Sequence, residues 1–297
     1  MLKKAALKKI TGIILAILLA TVALGGCGSG NGNTPGTGDN KTVKLAYVNW
    51  AEGIAMTNLA AAILEDKMDY KVELTMADAA PVFTSVAGGN TDAFLDVWLP
   101  ITHESYIERF GQDMVDLGVV YEDALLGLIV PSYVEINSIE ELNANKDKFG
   151  GEIVGIDPGA GLMAAAERAI EEYGLDYRLL TGSGPTMTAA LGKAIDANAP
   201  IVVTGWAPHW KFAKWDLKVL EDPKGVFGEV ENIHKYARKG LEEDMPEVAA
   251  FLKNFKLSES ELGDLMGAIE EEGGEPLDVA RNWMNSHEEL VAGWLNK

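Results

Sequence analysis

The 297-residue chain has one cysteine, four histidines and few basic residues: 25 Lys plus Arg stand against 45 Asp plus Glu, a formal charge of −20 at pH 7. A single Cys excludes an intramolecular disulfide framework and a thiolate zinc cluster. His103, His209, His234 and His287 show neither HExxH nor paired-ligand spacing, so no metal site is expected. An acidic surface repels phosphate backbones and argues against a nucleic-acid partner. There is no GxSxG elbow, no GxGxxG fingerprint and no Cys nucleophile in the body, so neither an enzyme nor a resident cofactor is indicated. What is present is ordinary for a globular protein: 47% hydrophobic and 24% charged residues. That length suffices for one large domain or two of about 100–150 residues.

The N-terminus reads as an address and an anchor. Lys3, Lys4, Lys8 and Lys9 precede an apolar run over residues 10–24, short for a membrane span. Leu24-Gly25-Gly26-Cys27 then resembles a bacterial lipobox, which implies a signal peptide over 1–26 and acylation of Cys27. Two or three acyl chains hold a protein on a membrane stably. Residues 27–41, rich in Gly, Asn, Ser and Thr, read as a flexible tether. Loss of residues 1–26 removes four Lys and no acid, leaving 21 basic against 45 acidic residues and a charge of −24. The expectation is a lipid-anchored body on the extracytoplasmic face of the cell membrane.

Beyond the tether the hydrophobic pattern alternates strand and helix. Strands are expected at 43–48, 71–76 and 93–97, with helices at 54–67 and 81–87 between them. A second round follows: strands at 125–130, 153–156, 177–180 and 201–204, and helices from Ser138, at 162–173 and at 187–197. Ser138 and Glu141 have capping-box spacing. The C-terminal part is expected to be helical over 245–254, 258–271 and 276–295, returning to cover the first round. Two α/β rounds in series predict a mostly parallel sheet in each and two lobes. One lobe would comprise 42–124 plus 233–297, the other 125–232.

Ligands of open α/β sheets sit outside the carboxyl ends of the strands. Three tryptophans are expected there: Trp50 after the first strand, Trp98 after 93–97 and Trp206 after 201–204. Packing alone would scatter this residue over the elements, as with Trp283 and Trp294 near the C-terminus. Indole faces converging in a cleft make a cage for a cation, and each dry contact contributes roughly 0.5–2 kcal/mol. A quaternary ammonium suits it, having no N–H to satisfy. The segment GIDPGAGLM (155–163) joins a strand to a helix, where glycines let backbone N–H groups approach an anion. No Lys or Arg lies nearby, so a carboxylate fits better than a phosphate. His103, five residues after Trp98, is a candidate donor to it, and His209 a residue behind the cage. Taken alone, 155–163 also reads as a tight turn and His103 as a structural histidine.

YVNWAEGIA (47–55), VWLPITH (97–103), GIDPGAGLM (155–163) and VVTGWAPHWKFAKWDLKVLEDPKG (202–225) together resemble the glycine betaine/proline betaine substrate-binding proteins of ABC importers. The resemblance runs from about Lys44 to the C-terminus. It implies an α/β, two-lobed periplasmic-binding-protein-like fold (type II) with the ligand cleft between the lobes, and an ABC permease as partner. It further implies that Trp50, Trp98 and Trp206 surround the quaternary ammonium. The backbone amides of Gly161 and Leu162 and the side chain of His103 would bind the carboxylate. The family occurs with its halves in either chain order, and here the YVNW half comes first. Choline and carnitine are the competing ligands; choline has no carboxylate, and no acid or Tyr is expected in the cage. An esterase for choline derivatives lacks its nucleophile here, and a purely adhesive role leaves the three tryptophans unexplained.

Overall fold

A computed structural model describes residues 41–295. The expected signal segment, Cys27 and the tether up to residue 40 lie outside the described residues. In chain order the elements are β1 (Thr42–Tyr47), α1 (Ala51–Asp66), β2 (Lys71–Met76), α2 (Ala79–Ala87), β3 (Ala93–Leu99), α3 (Glu104–Phe110) and β4 (Met114–Pro131). Then follow β5 (Glu152–Val154), α4 (Gly161–Glu172), β6 (Arg178–Leu180), α5 (Gly184–Asp196), β7 (Val203–Ala207), α6 (Lys211–Lys214), β8 (Leu217–Val219) and β9 (Glu231–Arg238). The chain ends in α7 (Leu241–Asp244), α8 (Pro246–Asn254), α9 (Glu259–Glu272), α10 (Pro276–Ser286) and α11 (Glu288–Leu295). Among the described residues no helix is long and apolar enough to cross a membrane.

The strands run in the order β2-β1-β3-β9-β4-β7-β5-β6, with β8 also on β4. The expectation of a mostly parallel sheet needs correction. β1 is parallel to β2 and β3, and β5 to β6 and β7, but β9 and β4 form an antiparallel centre. β4 changes partner within its length: Ala124 pairs with Glu231 of β9, and Leu125 with Ala207 of β7. Its first part carries three register shifts and two positive-φ residues, Gly118 and Asp123. Those bulges break the alternation, so the sequence displays only the regular 125–130 part as a strand.

Other differences have similar causes. Trp98 and Trp206 lie inside β3 and β7, near their carboxyl ends, rather than after them. Each strand is prolonged by pairing with a distant partner: Trp98 with Ile233 and Trp206 with Leu126. β9 (Glu231–Arg238) falls where the sequence reading assigned no element. The helix expected from Ser138 is a 3₁₀ turn, Ile139–Glu141, with the capping box present. The last expected helix is two, parted at His287, whose ring stacks on Trp283 at 3.7 Å.

α1 is buried from Glu52 to Leu64 apart from Ile54, because β1 and β3 cover one side and α9 and α10 another. An apolar run without a strong polar face is what such a helix requires. Arg281 of α10 pairs with Glu65 and Asp66 of α1, so the C-terminal helices return to the first strands. Asp92 receives the Lys44 backbone N–H (2.7 Å) and the Arg238 Nε (2.6 Å), clamping β1 to β9 across the start of β3.

Candidate ligand-binding site

The three tryptophans meet. Trp50, Trp98 and Trp206 line one small cavity together with His103, Gly161 and Leu162; Glu52, Thr102, Leu126, Ile156 and Ala160 complete the wall. All three indoles are nearly buried, at 5%, 2% and 3% exposure, and burial keeps water from competing for the ring faces. Of the six residues named from sequence, the larger clefts beside Trp210 include only Trp206, and a further one beside Tyr106 includes only Gly161.

Each indole N–H is donated to a carboxylate. Trp50 Nε1 donates to Asp157 (3.0 Å), Trp98 Nε1 to Asp96 (2.9 Å) and Trp206 Nε1 to Glu52 (2.6 Å). These bonds fix the ring planes and polarise the rings toward greater electron density on their faces. The Trp50–Asp157 and Trp206–Glu52 bonds join segments over 100 residues apart in sequence, so this grouping of indoles exists only in the folded chain. Lys211 lies beyond Trp206, its Nζ 4.4 Å from the ring and 2.9 Å from the Trp206 carbonyl oxygen. His209 packs edge-on against Trp206 at 4.8 Å and stays outside the cavity wall.

The expectation of no acid in the cage is overturned: Glu52 is part of its wall. Burial first, then the neighbouring Asp96, pushes the Glu52 carboxyl well above the usual carboxylate range. Asp96 is likewise raised by burial, to about 7. The Asp96–Trp98 relation was not anticipated, although residues i and i+2 of a strand share a face and the period-2 pattern could have shown it. Nothing local links Glu52 to Trp206 or Asp157 to Trp50.

His103 is fully buried, and its orientation is set by backbone. Trp98 N–H donates to His103 Nδ1 (2.9 Å), while His103 N–H returns to the Trp98 carbonyl (3.1 Å). An accepting Nδ1 carries no proton, so the neutral ring holds its hydrogen on Nε2. Nε2 is buried with no partner in the protein, and the residue lines the cavity. Burial among Trp50 (stacked, 5.8 Å), Phe83 and Tyr106 pushes its pKa down to about 3, so the ring is a neutral donor at ordinary pH.

Across the cavity stands the N-terminus of α4. Ala160 caps it without a side-chain acceptor, and the N–H groups of Met163 and Ala164 turn to the Ala160 carbonyl. Gly161 and Leu162 begin the first turn, where backbone N–H groups and the helix dipole favour an anion. Gly161 must be glycine for a steric reason: a Cβ there would overlap the Thr102 carbonyl oxygen. Thr102 is itself held by Glu231, which accepts from the N–H groups of Ile101 and Thr102 (2.8 Å) and from the Thr102 hydroxyl.

Residues 41–286 match the family described as the substrate-binding domain of ABC-type glycine betaine transport systems. The chain belongs to this family. Its members are transport substrate-binding proteins, not enzymes. A glycine betaine/carnitine transport binding protein of Listeria monocytogenes is 45% identical over 145 residues, and that match spans 48% of each chain. The chain thus spans about half the length of this curated relative. The fold aligns with lactococcal OpuAC, crystallised closed with glycine betaine, at TM-score 0.81 and 38% identity over 87% of this chain and all of that one. A glycine betaine/L-proline-binding protein of Borrelia burgdorferi aligns at TM-score 0.83 and 35% identity, over 86% and 97% of the two chains. A choline-binding protein in complex with choline aligns at TM-score 0.80 and 26% identity, over 86% and 91%. The fold of this family member is the expected periplasmic-binding-protein-like α/β fold.

Proposed function

We propose that this family member captures glycine betaine, and with it proline betaine, and delivers it to an ABC permease for osmoprotectant uptake. The quaternary ammonium sits among Trp50, Trp98 and Trp206, and the carboxylate is held by the Gly161 and Leu162 amides and His103. The observation that carries this reading is the buried Nε2–H of His103, unpartnered and in the same cavity as three indoles. A donor fixed in one tautomer and a helix N-terminus opposite supply an anion subsite, and the cage supplies a cation subsite. A betaine has both charges in one small molecule. Under this reading residues 42–124 with 233–297, and 125–232, are lobes that close on the ligand. Cys27 is then the lipid anchor that keeps the protein at the extracytoplasmic face of the cell membrane.

Choline is the second reading, favoured by one observation: Glu52 places a carboxyl in the cage wall, where a cation without a carboxylate gains most. Carnitine, which carries both charges, fits the first arrangement with a longer spacer. A tryptophan-fluorescence titration with glycine betaine, choline and glycine separates these. Saturation by betaine alone supports both subsites; equal saturation by choline removes the anion subsite. No response to any of the three, with calorimetry in agreement, overturns the ligand assignment.

A further inference from the structure

We propose that Glu52 and Asp96 form a carboxyl pair behind the cage that holds one proton while the cage is empty and releases it to solvent when a cationic group enters. The pair thereby selects cations and ties affinity to pH. This inference rests on the quaternary-ammonium reading of the site.

Both carboxyls are removed from water, at 1% and 0% exposure. One oxygen of each accepts an indole N–H, from Trp206 and Trp98. The other Asp96 oxygen is buried with no partner, pressed against Gly53, where an added Cβ would lie only 2.6 Å from it. Two carboxylates in so dry a place cannot both ionise cheaply, so one of them keeps its proton.

The surrounding charges leave this pair to balance itself. Lys211, held by the Trp206 carbonyl, acts on Glu52 only weakly, and burial lowers its own pKa well below the usual lysine range, so it is no full counter-charge to the carboxyls. Burial lowers the pKa of His103 and of His209, so both rings stay neutral. Asp157 is engaged by Trp50 through one oxygen, while its other oxygen is buried without a partner and burial raises its pKa. On β9, Glu231 is taken by Ile101 and Thr102, His234 by Asp116, and Lys235 by the carbonyls of Val119, Lys253 and Phe255. With no full counter-charge beside them, the two dry carboxyls keep a proton while the cavity is empty. A trimethylammonium group beside Glu52 adds a positive charge, and loss of the proton restores the balance. Asp96, raised to about 7, places that exchange near neutral pH.

The test is calorimetric titration of the protein with glycine betaine and with tetramethylammonium chloride between pH 5.5 and 8, in buffers of different ionisation enthalpy. The expected result is a buffer-dependent heat that reports proton release with both ligands. Affinity should weaken by up to about tenfold per pH unit below 7. Asp96→Asn and Glu52→Gln should each remove the buffer dependence and flatten the profile. Buffer-independent heats in the unsubstituted protein overturn the proposal, as does release that survives both substitutions.

A ligand-free arm keeps this separate from the ligand assignment. The folded state holds a proton that the unfolded chain has lost between the ordinary carboxylate range and pH 7. The pair's contribution to stability therefore falls as pH rises through that window. Thermal unfolding should show that slope in the unsubstituted protein and lose it in Asp96→Asn; identical profiles overturn the pair. If glycine betaine gives no heat at any pH, the betaine reading fails, while tetramethylammonium and the thermal profiles still judge the carboxyls.

Discussion

A histidine at the wall of a binding cavity is commonly treated as a pH sensor, and at His103 the structure points the other way. Its Nδ1 is committed to the Trp98 N–H, and burial holds its pKa near 3. Its donor therefore persists unchanged from pH 4 to 8. A hydrogen bond to a charged acceptor contributes about 1.5–3 kcal/mol, roughly a ten- to hundredfold effect on affinity. His103→Ala should weaken glycine betaine binding by that factor and tetramethylammonium binding less than about twofold, both read by tryptophan fluorescence. Equal losses would mean that His103 shapes the cage rather than binding the carboxylate. At this scale the sequence was informative. Tryptophans at strand ends and a histidine five residues on were visible; Asp96 was not singled out, although it stands two residues before Trp98 on the same strand. Glu52 and Asp157 were hidden as cage components, because each meets its indole across more than 100 residues of chain.

Two elements show what local pattern conveys and what it conceals. The GIDPGAGLM segment forms the expected strand–turn–helix, and α4 begins at the glycine assigned to the anion subsite. Because a Cβ at Gly161 would strike the Thr102 carbonyl, Gly161→Ala should impede the approach of residues 101–103 to α4. Overpacking of this kind costs about 1–3 kcal/mol. Betaine affinity should fall roughly ten- to hundredfold, while the ligand-free melting temperature changes little; a large drop in that temperature would make Gly161 a folding residue instead. β9 is the opposite case. Its inward residues include Glu231 and Lys235, both buried, so its sequence ENIHKYAR lacks the apolar alternation of a strand. The lysine is accommodated because Nζ donates to the carbonyls of Val119 (3.2 Å), Lys253 (3.3 Å) and Phe255 (2.6 Å), the last two at the end of α8. Burial still lowers its pKa to about 8. A base whose folded pKa is depressed binds fewer protons folded than unfolded, so its contribution makes stability rise as pH rises from about 8 toward the usual lysine value. Lys235→Met should abolish that rise, measured as urea midpoints at pH 7, 8, 9 and 10. An unchanged slope would assign it to other groups.

For the whole molecule, the alternation of strand and helix was enough to suggest two α/β halves. The way β4 and β9 run through the middle was not, since antiparallel pairing between residues 114–131 and 231–238 leaves no local trace. Between residues 125–232 and the rest of the described chain, the two lobes proposed above, run contacts that no ligand needs to touch. Tyr106 Oη donates to the Gly159 carbonyl (2.9 Å), and Lys214 pairs with Glu270 at 3.2 Å. The ion pair is half-exposed on its lysine side, and such pairs add little. Tyr106 is better placed: its ring stacks on Phe83 at 4.4 Å, and it lies outside the wall of the cage. If the lobes close as proposed, this hydrogen bond belongs to the closed form alone, and its net contribution of about 0.5–1.5 kcal/mol adds to closure whatever the ligand. Tyr106→Phe keeps the stacking and removes only the donor. Affinity should then fall roughly two- to tenfold, by the same factor for glycine betaine, choline and tetramethylammonium, with an unchanged fluorescence amplitude at saturation. A loss confined to betaine would tie Tyr106 to carboxylate recognition through His103, whose ring it meets edge-on at 5.9 Å. No loss for any ligand would mean that the two sides of the cleft meet without help from this bond, leaving closure to the ligand and the Trp50–Asp157 and Trp206–Glu52 hydrogen bonds.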